Sequence, residues 1–189
     1  MIQDEGMEMK IIKISAPLPL NPEVSYGGED VNSLLTQEEA SQIEQRFGLT
    51  EHIGEGSIGI AYDTNDGRVL KLTPSGSEAR ASSVIMNEGG GAFAEVYEVG
   101  EINTDVYYIL KEKVTILTLQ EQIVAQKVLG SLERKEIVNK DNIGRNFINE
   151  IIDYYYEAVE SKLFWDIDNA SNIGRNIHGK LVCFDPMSE

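Results

Sequence analysis

The sequence predicts an α+β fold, with an antiparallel sheet built early in the chain and helices dominating its later part. Three observations carry this. In residues 53–72, Ile58, Ile60 and Tyr62 alternate with small residues, reach a turn at Asn65-Asp66-Gly67 and return through Val69-Leu70-Lys71-Leu72, which is the pattern of a hairpin. Two further runs, about Ala94 to Val99 and Val106 to Leu110, flank the turn residues Asn103-Thr104-Asp105 and read as strands. From Leu117 to about Leu132 and from Asn146 to about Phe164, apolar residues recur at helical spacing.

Taken in order, residues 1–35 mix the run Ile11-Ile12-Lys13-Ile14 with three prolines and a Tyr26-Gly27-Gly28 turn, the pattern of an extended, partly irregular arm. A helix begins at Thr36. Thr36 and Glu39 have capping-box spacing, Ala40, Ile43 and Phe47 mark one face, and Gly48 stops it. After Lys71, Thr73-Pro74-Ser75-Gly76 is a turn, and Ser77 caps a helix to about Asn87 that Gly89-Gly90-Gly91 terminates. In the later helices the expected apolar positions are Leu119, Ile123 and Val124, then Phe147, Ile151, Ile152, Tyr155, Ala158 and Val159. His178-Gly179-Lys180 reads as a turn leading into the strand Leu181-Val182-Cys183-Phe184. The pentapeptide Asn142-Ile143-Gly144-Arg145-Asn146 recurs as residues 172–176, for which two short loops of similar turn chemistry would suffice.

Composition narrows the function classes. With 189 residues and 41% hydrophobic content the chain buries a substantial core as one domain or two small lobes. A formal net charge of −16 argues against partners that need clustered Lys and Arg, namely nucleic-acid backbones and anionic membranes; a basic protein partner is easier to accommodate. No apolar run reaches the length of a membrane span, and the N-terminus lacks the basic and apolar regions of a secretory signal, so a soluble cytoplasmic protein is expected. The single cysteine, Cys183, lies in an apolar strand and reads as a buried structural thiol. His52 and His178 have no metal-ligand spacing with cysteine or with each other, and no G-x-S-x-G elbow occurs; both histidines read as turn residues. Tyr154-Tyr155-Tyr156 point in different directions on a helix and read as core and rim rather than a stacking platform.

The chemistry-bearing signal is glycine spacing. Gly54, Gly56 and Gly59 follow G-x-G-x-x-G, and the next apolar strand carries Lys71. Glycines at this interval let backbone lie close over phosphates, and a nearby lysine neutralises them. A dinucleotide fingerprint would need a helix after the glycines, whereas a strand follows here. The hairpin resembles the nucleotide-covering lid of protein-kinase-like proteins. Near the other end, Asp166 in Trp165-Asp166-Ile167-Asp168-Asn169-Ala170-Ser171-Asn172, then a hairpin and the strand ending at Asp185, are similar to the catalytic loop and metal-binding strand of the same family, in the same chain order.

The resemblance implies a two-lobed, protein-kinase-like α+β fold with an antiparallel N-lobe sheet and a short, truncated helical C-lobe. The corresponding divisions are an arm and helix at 1–47, an N-lobe at 48–112 and a reduced C-lobe at 113–189. It implies ATP and magnesium: Lys71 on phosphate, Asp166 orienting the attacking hydroxyl, Asn172 and Asp185 on the metal, Glu112 and Val114 as backbone contacts to adenine, and Gly54, Gly56 and Gly59 over the phosphates. A glutamate from the helix after Lys71 would hold that lysine; Glu78 and Glu88 are both candidates and Glu78 is favoured. Lys111 is an unusual residue for the back of an adenine pocket. Family members place four residues between aspartate and asparagine, whereas Asp166 to Asn172 leaves five and Asp168 to Asn172 leaves three. Either one residue is inserted or the base is not Asp166. Pro186-Met187 stands in place of the usual aromatic-glycine pair, and no activation segment follows in the sequence, as in compact kinase-like proteins of bacteria and phages. The implied activity is phosphoryl transfer to a protein serine or threonine; the alternatives are an inactive pseudokinase that binds a cellular or host protein, and a small-molecule kinase.

Overall fold

A computed structural model describes residues 31–56, 59–136, 145–161 and 167–185, the side chains of Asn32 and Glu55 excepted. It is a mixed α+β fold made of two compact units, one comprising Met1–Ala79 with Val99–Leu110 and the other Arg80–Glu98 with Lys111–Glu189.

The first unit opens with a 3-10 turn at Val31–Leu34 where extended chain was expected, with Val31 and Leu35 buried. Helix α1, Gln37–Phe47, begins as its sequence requires: the Thr36 hydroxyl accepts from Glu39 N–H and the Glu39 carboxylate accepts from Thr36 N–H, closing the capping box. Gly48 ends it in the left-handed conformation at φ +60°, donating to Glu44 O. A Cβ there would also lie within 2.8 Å of the Asn65 side chain, which would have to turn aside.

Strands β1 (Leu49–Gly56), β2 (Gly59–Thr64), β3 (Arg68–Thr73), β4 (Val96–Asn103) and β5 (Val106–Glu112) form a sheet in the order β1-β2-β3-β5-β4. Antiparallel pairing joins β1 to β2 and β2 to β3, with Ile60 opposite Leu72 and Tyr62 opposite Leu70. The alternation seen in the sequence thus faces one core, in which Ile60, Tyr62, Leu70 and Leu72 meet Ile43 and Phe47 of α1 and Val106, Tyr108 and Leu110 of β5. Each such burial contributes roughly 1.5–3 kcal/mol before entropy is counted. The glycine motif spans two strands, not one: Gly54 and Gly56 end β1, and Gly59 starts β2 opposite Gly56. Strand β4 also runs to Asn103, beyond the expected Val99. Gly100 makes this possible, since a Cβ there would meet the Tyr108 ring at 2.5–2.6 Å.

In the second unit, α3 (Leu119–Glu133) packs against α4 (Arg145–Glu160). The expectation that Leu119 and Ile123 face the core is corrected: both are exposed, and the buried positions are Val124, Ala125, Val128 and Leu129. Leu119 is the first residue of the helix, which a capping box of Thr118 with Glu121 starts, so it projects from the end. In α4 the buried positions are Ile148, Ile151, Tyr154 and Ala158, while Tyr156 is exposed, as the helical reading of the tyrosine triplet required. Strands β6 (Thr115–Ile116), β7 (Ile173–Arg175) and β8 (Leu181–Cys183) form a small antiparallel sheet in that order. The two-residue β6 was not legible in the sequence. Helix α2, Gly76–Glu88, ends at Gly89 in the left-handed conformation. No helix among the described residues is long and apolar enough to cross a membrane.

The two copies of the repeated pentapeptide differ. Arg145 and Asn146 open α4, whereas Arg175 closes strand β7 and the Asn176 side chain organises the following turn by accepting from His178 and Lys180 N–H. Residues 142–144 of the first copy lie outside the described residues. His178 is a turn residue as expected; His52 instead lies in β1 with its ring edge-on to Tyr62.

Candidate functional site

Lys71 and Glu78 are brought together within the first unit. Lys71 lies in β3, a strand covered on both faces from Val69 to Thr73, and its Nζ is 2.5 Å from Glu78 Oε1 with both side chains buried. The local sequence explains the pairing. Pro74 lacks the N–H needed to extend the strand ladder, and Ser75 then caps α2, its hydroxyl accepting from Glu78 N–H at 3.2 Å. The cap is therefore Ser75; Ser77, expected from the sequence, lies inside the first turn with its hydroxyl 2.9 Å from that of Ser75.

Helices α1, α2 and α3 all start with Ser or Thr followed three residues later by Glu. In α1 and α3 the glutamate folds back onto the cap N–H. In α2 the Ser75 N–H is already satisfied by Thr73 Oγ1 at 3.1 Å, so the Glu78 carboxylate remains available to Lys71. Its second oxygen, Oε2, is buried without a hydrogen-bond partner. Such an oxygen carries an energetic cost that a donor or cation would relieve. Glu88, the other candidate, has the helical spacing of Ala81 and Ile85 but is exposed at the C-terminal end of α2.

The glycines differ in role. A Cβ on Gly59 would meet Leu72 O at 2.5 Å and Lys71 Cε at 3.2 Å, so the backbone of β2 passes directly beside the Lys71 side chain. Nothing lies within 4 Å of a Cβ built on Gly54. Gly56 is opposite Gly59 in the β1 to β2 pairing.

In the second unit, Glu112 ends β5 buried, its N–H donating to Glu95 O and its carboxylate accepting from Glu95 N–H at 2.8 Å. The Glu112 N–H is thus spent, leaving the carbonyl as the backbone group it could offer to a base; Val114 is half-buried just beyond. Lys111 is also buried, its Nζ donating to Phe184 O at 2.6 Å. The Phe184 N–H donates to Asn172 O at 2.9 Å. Asn172 is thereby joined to the residue that precedes Asp185, which brings both expected metal ligands to one locality. Both are half-buried. Asn172 and Asp185 supply hard oxygen donors, the kind magnesium takes in small number when phosphate and water complete the shell. Among the described residues no group of three or more His, Cys, Asp or Glu could hold a metal. Asp166 lies outside the described residues.

Three contributors were missed by sequence reasoning. Lys111 was noted only as unusual. Tyr154 donates its hydroxyl to Ile167 O at 2.9 Å, and the Gln126 side chain bonds the backbone of Asp168 and Ala170. No sequence signal marks a side chain that serves a loop about forty residues away. Cys183, free and 1% exposed, fits the expected structural thiol: burial pushes its pKa up to about 12.

Compared with known proteins, the sequence matches no family model and no curated protein. Among solved structures it is similar to a chain titled "PpkA-294 apo form", at 12% identity and a TM-score of 0.43 over 72% of this chain and 57% of that one. The protein thus spans a little more than half the length of that chain.

Proposed function

We propose that this protein binds ATP with magnesium and transfers a phosphoryl group to a hydroxyl, most simply a protein serine or threonine, through a protein-kinase-like fold. The observation that carries the reading is the buried Lys71–Glu78 pair beside the side-chain-free backbone of Gly59. An ammonium fixed by a carboxylate and unshielded by a neighbouring Cβ is poised to neutralise phosphate oxygens. Glu78 keeps it from drifting. Gly54 and Gly56 contribute the remainder of a backbone covering for the phosphates. Asn172 and Asp185 hold magnesium, which when bound neutralises charge on the phosphates. Glu112 O and the Val114 backbone receive the base, and Asp166 orients the attacking hydroxyl. Catalysis of this kind is positioning plus charge neutralisation.

One observation favours a second reading, a pseudokinase that binds nucleotide or a protein partner without transfer. The interval between an aspartate and Asn172 is five or three residues rather than four. Incubation with labelled ATP and magnesium separates the two readings. Label transfer by the wild type that disappears in Asp185→Ala supports the enzyme. Tight nucleotide binding, lost in Lys71→Met, with no transfer supports the pseudokinase. Absence of any ATP binding overturns the enzyme and the nucleotide-binding form of the pseudokinase, and leaves only the form that binds a protein partner.

A further inference from the structure

We propose that Gln126 of α3 is a positioning residue that sets the loop carrying Asn172, an inference that rests on reading Asn172 as a metal ligand. One side-chain amide serves two backbone positions: Nε2 donates to Asp168 O at 3.1 Å and Oε1 accepts from Ala170 N–H at 3.0 Å. Donor and acceptor two residues apart on the same strand of chain are what a neighbouring β-strand would satisfy, and here a helix supplies both from one residue. Tyr154 of α4 holds the preceding position, donating to Ile167 O. The clamped stretch leads at once into the 3-10 turn Ala170–Asn172, which the Asn169 side chain caps by accepting from Ser171 N–H and which Asn172 N–H closes onto Asn169 O. Asn172 O then accepts from Phe184 N–H. Gln126 therefore acts on Asn172 through a continuous run of hydrogen-bonded backbone.

A loop whose length departs from the family interval cannot rely on the family's anchoring, and this amide is an anchor of its own. The competing explanation is a surface glutamine with incidental bonds. Gln126 is exposed, flanked by the buried Val124, Ala125, Val128 and Leu129. Alanine at that position is a better helix former, so replacement leaves the fold in place.

The test uses the full chain and the variants Gln126→Ala and Gln126→Glu, the latter keeping an acceptor for Ala170 N–H while losing the donor to Asp168 O. ATP affinity is measured with and without magnesium by calorimetry, alongside thermal midpoint and exchange of the Ala170 amide. In Gln126→Ala the affinity gained on adding magnesium falls about tenfold, the usual scale for a partner that orients a ligand. Affinity without magnesium and the thermal midpoint stay unchanged, and Ala170 exchanges faster. Gln126→Glu restores part of the gain. An undiminished magnesium gain in Gln126→Ala, where wild type shows one, overturns this proposal and leaves the proposed function standing; so does unaltered Ala170 exchange. A wild type that binds no ATP overturns the proposed function, and this proposal with it.

Discussion

Lys71 and Glu78 stand within 2.5 Å of each other with 8% and 2% of their side chains exposed. Removing one member of such a pair strands the other as a buried charge, at a cost of about 3–5 kcal/mol, while replacing both with apolar residues of similar volume is often neutral. Lys71→Met and Glu78→Leu should therefore each destabilise by about that amount, and the double variant should recover most of the loss in chemical denaturation. It should recover no ATP affinity. Recovery of both stability and binding would mean that the ammonium is structural alone. Glu78 was legible as one of two candidates because the resemblance asks for a glutamate on the helix that follows Lys71. What freed its carboxylate was not: that depends on Thr73 taking the Ser75 N–H.

At the scale of elements, the turn between β2 and β3 shows how local chemistry sets register. Gly67 adopts φ +81°, Thr64 Oγ1 donates to Asp66 Oδ1, and Arg68 Nε donates to Asp66 Oδ2 at 2.8 Å. The Arg68 guanidinium, followed by the Thr64 hydroxyl, holds the Asp66 carboxyl well below the usual carboxylate range. A depressed carboxyl contributes stability that is present above its unfolded value and lost as pH falls through the acid range below it. Asp66→Asn should lower stability at pH 7 by under about 1 kcal/mol, given the exposure of the pair. The gap to wild type should close as the pH falls through the acid range toward the lowered value of Asp66; a gap that persists at the acid end would place the effect in turn geometry. The element boundaries followed their punctuation closely where caps and glycines were local, as at Thr36, Gly48 and Gly89. They failed where the determinant came from elsewhere: β4 continues because Gly100 makes room for Tyr108, and β6 exists because Thr115 and Ile116 find Arg175 and Gly174.

For the whole molecule, the charge of −16 is the dominant long-range term. Self-repulsion of like charges weakens the compact state and is screened over a Debye length of about 10 Å at 0.1 M salt. Raising sodium chloride from about 20 mM to about 0.5 M should therefore raise the thermal midpoint by several degrees, read by calorimetry. A fall would show that local ion pairs such as Arg175–Glu150 and Lys180–Glu157 outweigh the net repulsion. The sequence by itself determined the α+β class, the hairpin turn at Asn65-Asp66-Gly67, the cap of α1 and the burial of Cys183, because each follows from the pattern of residues near one another in the chain. Only the tertiary structure decided that Glu78 rather than Glu88 meets Lys71, that Asn172 bonds the residue before Asp185, and that Arg145 and Asn146 open a helix while their counterparts Arg175 and Asn176 end a strand and shape a turn. Those outcomes depend on which distant backbone or side chain is available to satisfy a donor or acceptor, and that information is not present in the local pattern of residues.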